Sequence, residues 1–325
     1  MDCTGIPHLN IVAQFPRRLS IVLCGVAAAS CLQAGEPRIR VASLHTVLTE
    51  IAQEVGGDQV EVEALVRPGD DPHTYQPSPE AVARMTQADI VLAAGLNLEP
   101  YLDRLVQDAG VRGRVVAVGD LVPVILSVPG GTGIFSRKGE RDPHWWHSIE
   151  DMLAATDLVR REFTLMRPGE APAFASRARA YEELLSALRD WTGAEISRLP
   201  PASRQLVTSH DAFGYLARDY GFTIHSINGL SPDGEPDAKD LSRLIEFMRS
   251  EHIRAIFPES TTNPRVVQGL LEETGAVLGG ALFADGLGPA GSGAATYVTM
   301  FRHNVTAIVS GLAPAPRPTA QSLRP

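Results

Sequence analysis

The sequence predicts an α/β protein of two lobes, each with a mostly parallel sheet covered by helices, joined by one long backbone helix. Three observations predict this fold. Short apolar runs alternate with amphipathic stretches in both halves of the chain, which is typical of parallel sheets with helices on both faces. An amphipathic stretch without proline covers residues 173–199, enough for a helix of about 40 Å. The length of 325 residues and the 44% hydrophobic content suit two globular domains.

The first 34 residues resemble a secretory signal peptide, so we expect export to the periplasm. Two arginines precede an apolar stretch at 19–32, which is too short to anchor the chain in a bilayer, and cleavage is expected after Ala34. A membrane helix at this position is the alternative. All three cysteines lie in this segment, which leaves the mature chain without a thiol. Cys31 follows a weak lipoprotein box, so lipidation at Cys31 is a further alternative.

The first lobe is expected at 35–170. Charged and apolar residues alternate over 59–66, which indicates a strand. Glycines at 56 and 57 end the helix before it, and Ser78 is placed to cap the helix that begins with Pro79. The remaining elements follow from apolar runs and helical spacing: strands at 38–44, 89–94 and 114–118, helices at 46–55, 99–108 and 148–163, and a Gly- and Ser-rich loop at 127–142.

The connecting helix is expected at 171–199 and the second lobe at 200–312, where the alternation repeats. Strands are predicted at 204–208, 223–227, 255–257 and 276–283. Helices are predicted at 212–220, 237–251, 263–274 and 294–310. The Pro-rich tail at 313–325 has the composition of a disordered segment.

Four polar side chains stand where strands or loops of these lobes end. Asp-Pro-His occurs twice, with its histidine at His73 and at His144, and His210 and Asp285 each follow a predicted strand. Open parallel sheets bind ligands beyond the carboxyl ends of their strands, so the two lobes could bring these side chains together in the cleft between them. Three imidazoles and one carboxylate suit a divalent metal such as zinc. The alternative is that these residues bind no metal. The histidines would then lie on surface loops or form hydrogen bonds in the core, and Asp285 would be an ordinary carboxylate in a turn.

Five segments in order resemble the metal-binding periplasmic solute-binding proteins of ABC importers (cluster A-I, or cluster 9). They are Pro72–Pro79, Asp142–Trp146, Ser209–Tyr215, Phe257–Ser260 and Ala284–Gly288. The resemblance covers about residues 41–312 and is strongest to the zinc-specific AztC type. It implies one Zn²⁺ per chain held between the lobes by His73, His144, His210 and Asp285. It also implies delivery to a membrane permease and ATPase, and leaves open loading by a periplasmic metallochaperone.

The resemblance bears on metal selectivity and shows two departures. Manganese-selective members typically have a carboxylate where this chain has His210. Many zinc members carry a His-rich loop between the first two ligands, but residues 124–142 contain no histidine. His45 stands where relatives usually have Phe or Tyr. The same fold serving Mn²⁺ or Fe²⁺, or acting as a surface adhesin, therefore remains an alternative.

Five further residues are candidates for supporting roles. Asp71 and Asp142 could cap their turns or accept the second N–H of the histidine ring that follows. His147 lies three residues after His144, so it is either an accessory metal acceptor or a support. Glu259 is expected to form hydrogen bonds near the cleft, and His45 is a weaker accessory candidate. Trp145 and Trp146 are predicted to wall the cleft, and the acidic stretch 231–240 is either a lid or a solvated loop.

Composition and motifs also exclude some functions. The formal net charge is −9 and the sequence has no block of basic residues, which argues against nucleic-acid binding. The chain has no His-Glu-x-x-His or Gly-x-Ser-x-Gly motif. Four protein ligands fill a tetrahedral shell and leave no position for an activated water, which argues against a zinc hydrolase. We therefore expect a monomeric binding protein and not an enzyme.

Overall fold

Two four-stranded parallel sheets, each covered by helices, form the framework of the protein. The structure is a computed structural model and describes residues 37–123, 141–230, 238–259 and 264–313. The described residues from Arg38 to Ala313 belong to one compact unit. The α/β class and the two parallel sheets predicted from the sequence are confirmed.

The first sheet has the strand order β2-β1-β3-β4, with β1 at Ile39–Ser43, β2 at Val60–Ala64, β3 at Ile90–Ala93 and β4 at Arg114–Ala117. Its helices are α1 (Thr46–Gly56), α2 (Pro79–Gln87) and α3 (Leu102–Ala109). As predicted, Ser78 caps α2, because its hydroxyl accepts a hydrogen bond from the Ala81 N–H. Side chains of β3 alternate between two apolar clusters, as the period of a strand requires.

Two long helices follow, α4 at Ile149–Met166 and α5 at Ala171–Ser197. The 27 residues of α5 match the predicted connecting helix. Helix α5 packs against α1 and α4 on one side and against the last helix, α9 (Tyr297–Leu312), on the other. It therefore contacts elements that belong to both sheets.

The second sheet has the order β6-β5-β7-β8, with β5 at Gln205–Thr208, β6 at Thr223–Ser226, β7 at Ala255–Phe257 and β8 at Val277–Leu278. Its remaining helices are α6 (Gly214–Tyr220), α7 (Ala238–Ser250) and α8 (Pro264–Thr274). One apolar cluster runs from the inner face of the first sheet, through α4, α5 and α9, to the inner face of the second. A smaller cluster lies on the outer face of each sheet.

Several predicted boundaries shift by two or three residues, and two elements differ for a reason that the structure shows. The strand expected at 276–283 is only the two-residue β8, followed by an isolated bridge between Leu282 and Glu259. The ring of Phe257 lies where a side chain at Gly279 would stand, and Gly280 has a φ of 114°, so the chain bends away from β7. The helix expected from Glu99 begins at Leu102, because the Glu99 carboxylate instead accepts the N–H groups of the turn after β3.

Several predictions fall outside the described residues. They are the signal peptide and the lipidation site Cys31, the loop at 124–140, the acidic stretch at 231–237 and the tail beyond 313. None of the helices in the described ranges is long and apolar enough to cross a membrane.

Candidate metal centre

The structure brings His73, His144, His210 and Asp285 to one point. Their four donor atoms all lie within 4.8 Å of one another. His73 lies in the loop after β2, His210 two residues after β5, and Asp285 in the segment after β8. The carboxyl ends of parallel strands meet at one edge of a sheet, which is why residues so distant in sequence converge. His144 immediately precedes a 3₁₀ turn, Trp145–His147, that leads into α4.

Five of the six distances between the donor atoms are close to the edge of a tetrahedron, and the sixth, between His73 and His210, is no more than 4.8 Å. The Nε2 atom of His144 lies 3.2 Å from that of His73 and 3.3 Å from that of His210. The Oδ1 atom of Asp285 lies 3.1 Å from His210, 3.4 Å from His73 and 3.7 Å from His144. A tetrahedral ion with bonds of about 2.0–2.1 Å places its ligands about 3.3–3.4 Å apart. The donor set can therefore enclose one ion with small adjustments of the side chains.

The lack of a hydrogen-bond donor for the Asp285 carboxylate in the described part of the chain also supports its role as a ligand. Its buried Oδ1 accepts no hydrogen bond of acceptable geometry from the described residues, although three ring nitrogens surround it. A buried oxygen without a donor is costly unless a cation compensates it. An ion at the centre of the four donors would supply that compensation.

The two Asp-Pro-His turns share a backbone bond but differ at the ring. The Oδ1 of Asp71 accepts the backbone N–H of His73 at 2.8 Å. The Oδ1 of Asp142 accepts the backbone N–H of His144 at 2.9 Å and also lies 2.8 Å from its ring Nδ1. Asp142 thus holds the proton of His144 on Nδ1 and leaves Nε2 free for a metal. Both aspartates therefore cap their turns, and Asp142 also accepts the ring N–H.

His210 receives the same support from the second half of the chain. The carboxylate of Glu259 accepts the ring Nδ1–H of His210 and the backbone N–H groups of Ser209 and His210. The Ser209 hydroxyl in turn accepts the backbone N–H of Glu259. Glu259 therefore forms the hydrogen bonds that the sequence led us to expect, and it fixes which nitrogen of His210 faces the cluster.

Charges within the cluster shift its titration strongly. Burial would lower the pKa of His210, but the charges of Glu259 and Asp285 raise that pKa well above its ordinary value. Burial would raise the pKa of Asp285, but the nearby rings of His210, His144 and His73 hold that pKa well below its usual range. Burial lowers the pKa of His73. In the metal-free protein the site therefore favours a proton on His210, which a metal must displace.

Access to the cluster is uneven. The side chains of His144 and His210 are fully buried, whereas those of His73 and Asp285 are 8% and 11% exposed. A cavity of about 280 Å³ lies beside Asp285 and is lined in part by Asp70 and Asp71. An ion can therefore approach through the side that His73 and Asp285 occupy.

The remaining accessory candidates surround the cluster without being part of it. Trp145 and Trp146 are fully buried, as expected for a wall, and the Trp145 indole donates to the carbonyl of Ala94. The Nε2 of His147 lies 2.8 Å from the carbonyl of Ala284 and is directed there. His45 caps α1 by accepting the N–H of Val47.

Sequence reasoning missed three side chains that hold the site. The Tyr215 hydroxyl donates to the carbonyl of Asp142, and the Tyr297 hydroxyl donates to that of Trp146. The Thr46 hydroxyl accepts the N–H of Leu287. Only Tyr215 left a signal, since it ends the segment that begins with Ser209.

The fold and the donor set define a class, a two-sheet α/β protein that binds a metal cation. The profile of the zinc-uptake complex component A periplasmic family (ZnuA) matches residues 41–311. The chain therefore belongs to this family of metal-binding periplasmic components of ABC importers.

Individual relatives agree on the fold but differ in their metal. The manganese-binding lipoprotein MntA of Bacillus subtilis is 33% identical over 90% of this chain and 96% of its own. The iron-binding protein YfeA of Yersinia pestis is 30% identical over 84% of this chain and 86% of its own. The structure of the periplasmic zinc-binding protein TroA of Treponema pallidum covers 85% of this chain and 100% of its own, at 30% identity and a TM-score of 0.77.

Proposed function

We propose that this protein binds one Zn²⁺ through His73, His144, His210 and Asp285 and delivers it to a membrane permease and its ATPase. The observation that carries the proposal is the near-tetrahedral arrangement of three imidazole nitrogens and one carboxylate oxygen. Two of the rings have their second nitrogen bound to a carboxylate, which is the usual support of a zinc-bound histidine.

Zinc is favoured over manganese by the chemistry of the donors. Three nitrogens and one oxygen suit zinc, and the Irving–Williams order places zinc well above manganese at such a site. His210 in place of a carboxylate supports the same choice, as does the resemblance to the AztC type. The competing proposal is manganese or iron uptake, since MntA is named for manganese and YfeA for iron.

The site supports transport better than catalysis. Four protein donors complete a tetrahedral shell, whereas a catalytic zinc keeps a position for water. We propose that the chain is not an enzyme. A zinc hydrolase would have to open its shell and turn over an ester or amide, which a panel of such substrates would detect.

We propose a periplasmic, monomeric protein released from its signal peptide after Ala34, with two lobes at 35–170 and 200–312 around a helix at 171–199. MntA is named a lipoprotein, which supports lipidation at Cys31 as the alternative. Mass spectrometry of the mature N-terminus separates the two forms. A surface adhesin predicts the lipidated form. We also propose that a periplasmic metallochaperone loads the protein with zinc. If the acidic stretch 231–240 is a lid that helps zinc enter, deleting residues 233–236 should slow zinc loading.

Elemental analysis and titration test the main proposal. The mature chain, purified without added metal, should contain zinc and, after removal of the metal, rebind one zinc ion per chain. Competition with Mn²⁺ should leave zinc bound. The proposal is refuted if the chain binds no metal tightly at 1:1. If the chain prefers manganese, manganese and not zinc is its cargo. The double variant His73→Ala/His144→Ala should stay folded and lose tight binding.

A further inference from the structure

Asp285 lies between two backbone contacts, one to the 3₁₀ turn before α4 and one to the first residue of α1. The carbonyl of Ala284 accepts two hydrogen bonds, from Trp146 Nε1 at 2.8 Å and from His147 Nε2 at 2.8 Å. Two residues after Asp285, the N–H of Leu287 donates to the Thr46 hydroxyl at 2.8 Å. We call Thr46, Trp146 and His147 the clamp.

The clamp leaves the backbone beside Asp285 little freedom. Gly286 has a φ of 142°, a conformation that L side chains rarely adopt, and a Cβ there would lie 2.4 Å from the Thr46 hydroxyl. Glycine is therefore required for this close approach. All three clamp side chains are buried, so a lost donor would leave a buried backbone group without a partner.

A fixed backbone limits how Asp285 can present its carboxylate. With the clamp closed, Oδ1 is the carboxylate oxygen that lies nearest the three ring nitrogens, at 3.1–3.7 Å, which is close to the ligand spacing around a four-coordinate ion. A carboxylate whose backbone could shift would be able to present both oxygens and raise the coordination number. Hard cations such as manganese favour more oxygen ligands than zinc does.

We propose that His147 is a positioning residue that sets metal selectivity. By donating to the carbonyl of Ala284, it holds Asp285 as a one-oxygen ligand, which favours zinc over manganese. The inference rests on the proposed function. His147 is not among the four donors, and its Nε2 donates to that carbonyl.

The test compares zinc and manganese dissociation constants in three variants. His147→Leu removes the donor, His147→Gln places an amide N–H where Nε2 was, and Trp146→Phe removes the neighbouring donor but keeps an aromatic ring. Each protein is stripped of metal, checked for folding by circular dichroism and thermal unfolding, and titrated with each metal against a chelator. We expect His147→Leu to weaken zinc binding about 10- to 100-fold and to change manganese binding by less than about threefold. His147→Gln should restore the wild-type ratio of the two constants.

The outcomes separate this inference from the proposed function. A wild-type chain that binds neither metal refutes the proposed function before any variant is compared. If His147→Leu weakens the binding of both metals equally or of neither, the ratio of the two dissociation constants is unchanged. His147 then has at most a structural role, and the inference is overturned. If His147→Leu does not fold, Trp146→Phe provides the test. A lower preference for zinc over manganese in that variant supports the role of the clamp, and a wild-type preference overturns it.

Discussion

The two Asp-Pro-His turns allow a matched test of how the protein tunes a histidine ligand. We expect Asp142→Asn to weaken zinc binding about 10- to 100-fold, the usual effect of losing the carboxylate behind a ligand histidine, or about 1.4–2.7 kcal/mol. Asp71→Asn should change the zinc dissociation constant by less than about threefold. Both substitutions keep an oxygen that can accept the backbone N–H, so they differ only in the bond to the ring.

The magnitude follows from the contacts of each carboxylate. Asp142 lies 2.8 Å from Nδ1 of His144, and the charge of its carboxylate makes Nε2 a stronger donor to a metal. Hydrogen bonds to a charged group contribute about 1.5–3 kcal/mol, against about 0.5–1.5 kcal/mol for neutral pairs. The difference between these ranges, about 1–1.5 kcal/mol, lies at the lower end of the 10- to 100-fold loss expected for Asp142→Asn. Asp71 has no bond to the ring of His73 to lose; its bond goes to the backbone N–H.

The assay is a competition titration of metal-free protein against a chelator of known zinc affinity at pH 8, where free histidine is neutral. Thermal unfolding of each metal-free variant controls for misfolding, because Asp142 is buried and Asp71 is half-buried. Equal losses in the two variants, or no loss in Asp142→Asn, would refute the reasoning that the ring bond tunes the metal.

Three further predictions concern the rings. His210→Asp should lower the preference for zinc over manganese on the order of 10-fold, because a carboxylate replaces a nitrogen donor; competition titration checks it, and an unchanged preference contradicts it. Zinc binding at pH 7 should release between one and two protons, since the pKa values of His210 and His144 are both raised in the metal-free protein. Calorimetry in buffers of different ionisation enthalpy measures this release, and zero release contradicts the prediction. Burial lowers the pKa of His45 to about 3, so the folded state keeps this ring neutral and its stabilisation is lost as pH falls below about 6.5. The variant His45→Asn keeps an oxygen that can cap α1 but has no ring to titrate. When the pH is lowered from 7 to 5, its free energy of unfolding without metal should fall by about 2 kcal/mol less than that of the wild type, as measured by urea titration. Equal falls would show that His45 is not the group responsible.

Much of the fold and the meeting of the four donors could be predicted from the sequence. Buried strands produce apolar runs, and the carboxyl ends of parallel strands lie at one edge of a sheet, so polar residues just after such runs converge. His73, His210 and Asp285 were located in this way. Their roles as metal ligands remain a prediction that the titrations above test.

Other features depend on contacts that the sequence does not encode locally. The tripeptide Asp-Pro-His is identical at both sites, yet only Asp142 reaches the ring that follows, because that depends on side-chain rotamers. The early bend after β8 depends on the ring of Phe257, which is more than 20 residues away. The clamp joins Thr46 to Leu287, and no periodicity in either segment signals such a contact.

The uninterrupted apolar cluster that passes through α5 and α9 has a consequence for unloading. Wedging the two sheets apart by enough to wet 400 Å² of it would cost about 10 kcal/mol, comparable to the whole stability of a typical domain. The loop after β2 that carries His73 has no residue in that cluster, whereas Ala284 and Leu287, on either side of Asp285, belong to it. Cargo therefore has to leave by a small displacement of the His73 loop, and a permease that empties the protein needs to contact that loop and not the sheets.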